Sequence, residues 1–323
     1  VAFRKDRRGF LFLESLNMPA RLWDDPSEFA WTVRSLPMRA PGVPRGVFLV
    51  TPSEFRLADE SARDNAYMQM AATVDPARAG SQHRELAEAL ARAGIPAHAF
   101  AGDASTPDAV FPNNVFATAP GRLIVGAMRH PVRQREARRA DIRAWFRDLL
   151  AYREIDLSQR ACIAELTGSL VIDRARGIGY CGLSERCDRA GAAAMAEAFA
   201  LSHVLVFDLA AGEYHTNVVM SALAGRGLLL CKDGFADAAV ADALVAIEPA
   251  TTVLIDGDEK SGYVGNCIAL GERGLWMSAC AQRALGPGTT KAIAALGFEI
   301  CSVELDELEK AGGSLRCMIG EIY

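Results

Sequence analysis

The feature that most constrains the fold of this chain is a pattern recurring about every 50 residues, the scale on which repeat architectures are built. From Gly46 onward, short Val/Ile/Leu runs bounded by turns predict strands, and 3.6-residue apolar spacing predicts helices. Each unit reads strand, strand, helix, strand. One unit begins at 114–118 and 123–126, with an Arg-rich helix over 133–150. A second has strands at 169–173 and 179–182, a helix over 188–200 and a strand at 203–207. A third spans 216–222, 227–231, a helix over 237–247 and 252–255. A fourth spans 265–270, 274–278, a helix over 281–296 and 299–303. The fifth needs both ends of the chain: 316–322 would join 46–50, a helix over 82–93 and 96–100. Five such units closed in a ring form an α/β propeller with a central site and no lone edge strand. Periodicity by itself also admits an ordinary two-domain α/β protein.

Residues 1–45 break the pattern. They hold Trp23, Asp24-Asp25-Pro26 and a Pro/Gly/Arg-rich stretch from Pro37 to Arg45. They read as an irregular or weakly helical N-terminal extension, leaving 46–323 as one domain. The run Phe10-Leu11-Phe12-Leu13, cut by Glu14, is too short for a secretory h-region or a membrane span. The expectation is a cytoplasmic protein without membrane partners.

The 323 residues are half hydrophobic, enough to bury a large core. The net charge of -5 is dispersed, with no nucleic-acid footprint. Eight cysteines show no CxxC pair and no His-rich partner set, so neither a metal nor another cofactor is expected. Several sit in apolar runs such as Leu228-Leu229-Leu230-Cys231, which suits free thiols in a reducing compartment.

Three segments carry chemistry. Gly312-Gly313-Ser314-Leu315-Arg316-Cys317 is a glycine-led turn that delivers a cysteine, and the two glycines let backbone pass close to a ligand. Arg316 is expected to lower the thiol pKa. Tyr214-His215-Thr216-Asn217 and Glu165-Leu166-Thr167-Gly168-Ser169 supply a histidine and a carboxylate. A thiol hydrolase requires these three groups, which need meet only in space. Each has a plainer reading as a core thiol, a hydrogen-bonded histidine or a turn carboxylate.

With Phe111-Pro112-Asn113-Asn114 added, these motifs resemble the pentein superfamily of guanidino-group-modifying enzymes, in the expected order over nearly all of 46–323. The resemblance is greatest to the amidinotransferase and arginine deiminase-related branch, and within it to citrulline hydrolases. Leu166 stands where that branch usually has glycine. The resemblance implies a five-bladed propeller of ββαβ units. It also implies that Cys317 attacks the central carbon of a guanidinium or ureido group, with His215 as acid and base and Glu165 holding the imidazole.

Enzymes that hold a guanidinium commonly place Asp where this chain has Asn113, Asn114 or Asn217, since a fixed carboxylate pairs with the cation. Neutral amides suit a ureido group, which offers an oxygen acceptor and NH donors. Citrulline, or arginine taken through two hydrolyses, is therefore the expected substrate class. Arg129 and Arg316 are candidates for a substrate α-carboxylate. Asp64 and Asn65 are candidates for closing over the ligand, while Arg133, Arg135, Arg138 and Arg139 read as a solvated helix face. His83, His98 and His203 read as structural. An amidinotransferase and a non-catalytic binding protein on the same fold are the alternatives. Oligomeric state stays open, including a homo-oligomer.

Overall fold

The repeated strand pairs of the sequence close into five small sheets with one wiring. The computed structural model describes residues 20–323, together with the backbone pairing of Ala2–Lys5 with Leu11–Glu14. The expectation for 1–45 therefore falls partly, over residues 1–19, outside the fully described residues.

In every blade the first two strands pair antiparallel and the third joins in parallel after a helix. The first blade is assembled from both ends of the chain, with Gly320–Ile322 antiparallel to Gly46–Val50 and Ala97–Phe100 parallel to it. Phe116–Ala119, Arg122–Val125 and Arg153–Asp156 make the second. Leu170–Asp173, Ile178–Leu183 and His203–Asp208 make the third. Met220–Ala222, Leu228–Cys231 and Thr252–Ile255 make the fourth. Ile268–Leu270, Gly274–Ser278 and Glu299–Val303 make the fifth. This is the five-bladed α/β propeller of ββαβ units that the repeat and the resemblance imply.

The first strand of each blade lies innermost, and hydroxyl side chains tie neighbouring blades there. Thr118 donates to the Glu321 carbonyl at 2.8 Å, Thr216 to Ser169 at 2.6 Å and Ser221 to Gly265 at 2.8 Å. Each bond satisfies a carbonyl in or just before an inner strand. Helices cover the outside. In Pro76–Arg92 the buried positions Ala79, Gln82, His83, Leu86 and Leu90 recur at three- and four-residue spacing. Asp75 caps that helix, accepting from the backbone N–H groups of Ala77 and Arg78.

Several elements depart from expectation for identifiable reasons. The helix predicted over 133–150 is split into Pro131–Glu136 and Ala140–Ala144, followed by a π turn at Trp145–Leu149. Arg143 folds back between them, its guanidinium donating twice to the Ala137 carbonyl. The helix predicted over 281–296 breaks into Ala279–Ala284 and Pro287–Ala295, because Pro287 has no N–H and starts a helix far better than it continues one. The strands predicted over 216–222 and 316–322 each begin as a helical turn, Thr216–Val219 and Leu315–Met318.

Residues 20–45 are more ordered than the irregular segment the sequence suggests. Arg21–Trp23 adds parallel to His203–Asp208, and the Asp25-capped helix Pro26–Val33 packs on the helix Ala238–Ile247. Trp23 donates to His203 Nδ1 at 3.1 Å, and Trp23, Phe29 and Val33 enter the core of the third and fourth blades.

Candidate active site

The turns that precede the innermost strands deliver the polar side chains to the hub. Cys317 lies on the turn Leu315–Met318, and His215 and Glu165 cap the turns Thr216–Val219 and Leu166–Ser169. Asn113 and Asn114 lie on the turn Pro112–Asn114. One local device, repeated in successive blades, thus brings residues far apart in sequence to one place.

Glu165 and His215 are directly paired. Glu165 Oε2 lies 3.0 Å from His215 Nε2, and neither residue is more than 1 % exposed. Burial pushes the Glu165 carboxyl up, but the Arg186 guanidinium and the His215 hydrogen bond outweigh it and hold the group well below the usual carboxylate range. Arg186 Nη1 reaches Glu165 Oε2 at 3.2 Å, and the Arg129 backbone N–H donates to Oε1 at 3.2 Å. Arg186 is itself fixed by Asp64 Oδ1 at 2.5 Å and by the Ser61 carbonyl at 2.8 Å. The anionic carboxylate orients the imidazole so that Nε2–H donates to it. His215 Nδ1 is left without a partner among the described residues. Burial lowers the His215 pKa despite the Glu165 bond, so the ring is neutral at neutral pH with a free lone pair on Nδ1.

The ring lies against the turn that carries Glu165. A Cβ on Gly168 would meet His215 Nδ1 and Cε1 at 2.8 Å and Asn114 Oδ1 at 2.5 Å. Asn114 Oδ1, which has no partner, therefore sits beside the imidazole. Leu166 does not disturb the pairing, because its side chain turns into the core with Ala127 and Ala164, where Gly126 leaves room for it.

Two amides meet Cys317. Asn266 Nδ2 is 3.3 Å and Asn217 Nδ2 3.6 Å from Sγ. Burial pushes the Cys317 thiol above its ordinary value, and the two amides together with the Arg316 charge only partly offset this. The lowered pKa expected from Arg316 is thus corrected: the net direction in the unliganded protein is up. Arg316 turns away from the thiol, donating to the Ile319 carbonyl at 3.1 Å and to Glu321 Oε2 at 2.6 Å.

Cys317, His215 and Asn114 line one recess, together with Asp108, Arg133 and Arg186. Gly312 approaches it with φ 77°, a conformation that favours glycine, and a Cβ there would meet Asn65 Nδ2 at 2.5 Å. Asn65 lines the recess, while Asp64 lies behind it, bridging Arg186 and His130 Nε2.

The predicted α-carboxylate partners are elsewhere. The Arg129 guanidinium is half exposed and pairs with Glu185 at 3.0 Å, and Arg316 lines a different cavity. Asn217 touches the thiol and lines that other cavity. Asn113 is buried with both amide atoms unpartnered among the described residues, and it does not line the recess. Arg133, expected on a solvated face, is instead buried and donates to the carbonyls of Asp108 and Phe111 at 2.8 Å.

Sequence reasoning misses Arg186, Asp108 and Asn266. Asp108 had a signal, a carboxylate inside the apolar run Asp108-Ala109-Val110-Phe111. Asn266 had one in the repeat, since it precedes its blade's first strand much as Asn217 precedes the one before. Arg186 sits in a charged turn that has no distinguishing feature. Among the described residues, no group of three or more His, Cys, Asp or Glu side chains could hold a metal. No described helix is long and apolar enough to cross a membrane.

The family model described as N,N dimethylarginine dimethylhydrolase, eukaryotic, matches residues 51–323. Among solved structures, the chain is similar to the product-bound N-terminal domain of ArgZ, an arginine dihydrolase from the ornithine–ammonia cycle in cyanobacteria. That match has a TM-score of 0.73 and 18% identity, covering 86% of this chain and 97% of that one. A form of the same domain covalently bound to a reaction intermediate matches with TM-score 0.73 and 17% identity over 86% of this chain and 97% of that one. A dimethylarginine dimethylaminohydrolase adduct with 4-chloro-2-hydroxymethylpyridine matches with TM-score 0.65 and 18% identity, over 87% of this chain and all of that one. At such identities the likeness is one of fold. No curated protein is significantly similar to the chain.

Proposed function

The chain belongs to the N,N dimethylarginine dimethylhydrolase family, C–N hydrolases of the pentein superfamily, and on that premise we propose that Cys317, His215 and Glu165 hydrolyse the guanidino or ureido carbon of an arginine-related amino acid. The observation that carries this reading is a buried imidazole bonded to Glu165 on one nitrogen, with its other nitrogen free, in a recess it shares with Cys317.

In the unliganded protein both thiol and imidazole are neutral. A cationic substrate in the recess lowers the cost of the thiolate, and the Asn266 and Asn217 amides stabilise it. Sγ then bonds to the central carbon. His215 Nδ1 takes the thiol proton and passes it to the departing nitrogen, whose C–N bond breaks to release ammonia or an amine, and Sγ remains attached to the carbon. Water, deprotonated by His215 Nδ1, adds to that carbon, and the C–S bond breaks as the imidazolium returns its proton to Sγ, regenerating the thiol. A guanidino substrate thus becomes a ureido product. Glu165 stays anionic and stabilises the imidazolium at each transfer.

At the reacting groups the recess offers neutral amides: Asn114 lines it with His215 and Cys317, and Asn266 and Asn217 contact the thiol from outside it. Asp108, with Oδ1 unpartnered, and the guanidinium groups of Arg133 and Arg186 supply both signs of charge, as the ammonium and carboxylate of an amino acid require. The neutral amides near Cys317 and His215 support turnover of a ureido compound such as citrulline as well as arginine or its methylated forms.

The test is turnover of dimethylarginine, arginine and citrulline by the wild type and by Cys317→Ser, reading dimethylamine, ammonia and amino-acid products. The proposal expects the serine variant to fold and to be inactive. Residual activity above a few per cent of wild type would overturn it, and transfer of the amidino group to an added amine in preference to water would replace hydrolase by transferase.

A further inference from the structure

The hub contains a second cavity, further along the innermost strands than the catalytic recess and lined in part by Asn217, Arg316, Arg174, Glu321 and Tyr323. Its charges do not balance. Glu321 is held below the usual carboxylate range: burial pushes it up, and the arginines Arg316 and Arg174 more than offset that. Its two oxygens are already taken, Oε2 by Arg316 Nη2 at 2.6 Å and Oε1 by the Tyr323 hydroxyl at 2.9 Å. Arg174 donates through Nη1 to the Thr118 carbonyl at 3.0 Å. Its Nη2 is buried without a hydrogen-bond acceptor among the described residues, 3.9 Å from Glu321. Two guanidinium groups thus share one carboxylate, and the second, 3.9 Å from it and over the Tyr323 ring, keeps a buried donor without a hydrogen bond, which is costly.

Arg174 and Tyr323 also line a neighbouring groove whose wall is largely apolar, with Pro41, Val43, Pro44 and Pro120 beside the cationic Arg45. Arg174 therefore stands where a polar cavity meets a largely apolar surface. An inorganic anion would use only the first and a neutral hydrocarbon only the second. We propose that this junction is a binding site for a small apolar carboxylate, its anionic end on Arg174 and its body against Pro41, Val43 and Pro44.

The direct test uses benzoate, benzamide and acetate in titration calorimetry with the full chain. Benzoate should bind at millimolar concentration or below, benzamide should lack the charge and acetate the apolar body, and each should bind at least tenfold more weakly. Arg174→Met, which keeps the apolar stem, should weaken benzoate at least tenfold, and prior alkylation of Cys317 should leave benzoate binding intact. A crystal soaked in 4-bromobenzoate should give an anomalous bromine peak in the Pro41–Pro44 groove, a readout that does not depend on the variant folding. Absence of benzoate binding, binding insensitive to Arg174→Met, loss on Cys317 alkylation, or a bromine peak only in the catalytic recess would each overturn the proposal.

Discussion

Gly168→Ala probes how the imidazole is placed without changing any charge. The added methyl group would lie 2.8 Å from His215 Nδ1 and Cε1 and 2.5 Å from Asn114 Oδ1, whereas ordinary contact begins at 3.4 Å. The ring would have to retreat by about 0.6 Å, and it has no free direction because Nε2 is tied to Glu165 at 3.0 Å. Misplacement on this scale costs on the order of 100-fold in rate when a catalytic group must meet its substrate. The turn itself should tolerate alanine. Gly168 lies in the helical turn Leu166–Ser169, where alanine is favoured over glycine by about 1 kcal/mol, against overpacking of roughly 1–3 kcal/mol. The assay is kcat and KM on the best of dimethylarginine, arginine and citrulline, with a thermal melt of the same preparation. The expected result is a kcat reduced about 100-fold with Tm changed by only a few degrees. A variant within about threefold of wild-type kcat would refute the argument that the bare backbone at 168 sets the imidazole position.

Asn114→Asp should hurt citrulline more than arginine, because an anion at the reacting end repels a ureido oxygen and pairs with a guanidinium. The rate ratio should shift by about 1.5–3 kcal/mol, and an unchanged ratio would mean that this amide does not read the substrate. His83 is buried with Nε2 unpartnered, and burial lowers its pKa from 6.5 to about 4. Because the folded value is depressed, its stability contribution is fully present above pH 6.5 and is lost as pH falls through 4. That contribution is about 3 kcal/mol, so urea unfolding of His83→Gln at pH 7 and pH 4 should show an acid loss smaller than wild type by about that amount. An identical loss in both proteins would rule out His83 as a source of acid sensitivity.

The propeller was legible because its units repeat: five Val/Ile/Leu strand pairs, each followed by a helix, appear in the right order, including the blade closed by both ends. Element breaks were less legible where their cause is tertiary. The gap after Glu136 depends on Arg143 reaching back to Ala137, which no local spacing reveals. The candidate site shows the same division. Cys317, His215 and Glu165 announced themselves as reactive types in glycine- or threonine-rich turns, and the turns bring them to the hub. The arginines did not sort by local sequence. Arg316 adjoins the cysteine yet its side chain leaves for another cavity, while Arg186, unremarkable in its turn, holds Glu165. Arg133 reads as solvated because its neighbours Arg135, Arg138 and Arg139 are charged, yet it is the one drawn inward by the carbonyls of Asp108 and Phe111. Which of several arginines is buried depends on acceptors supplied by other segments.

The central claim, covalent catalysis by Cys317, is tested most directly by mixing enzyme with substrate, quenching with acid within the first turnovers and mapping the adduct by peptide mass spectrometry. The account predicts that the peptide carrying Cys317 gains the mass of the substrate less its departing amine, and that the same experiment on Cys317→Ser shows neither adduct nor product. Sustained turnover with no adduct on Cys317, and with the serine variant still active, would contradict it.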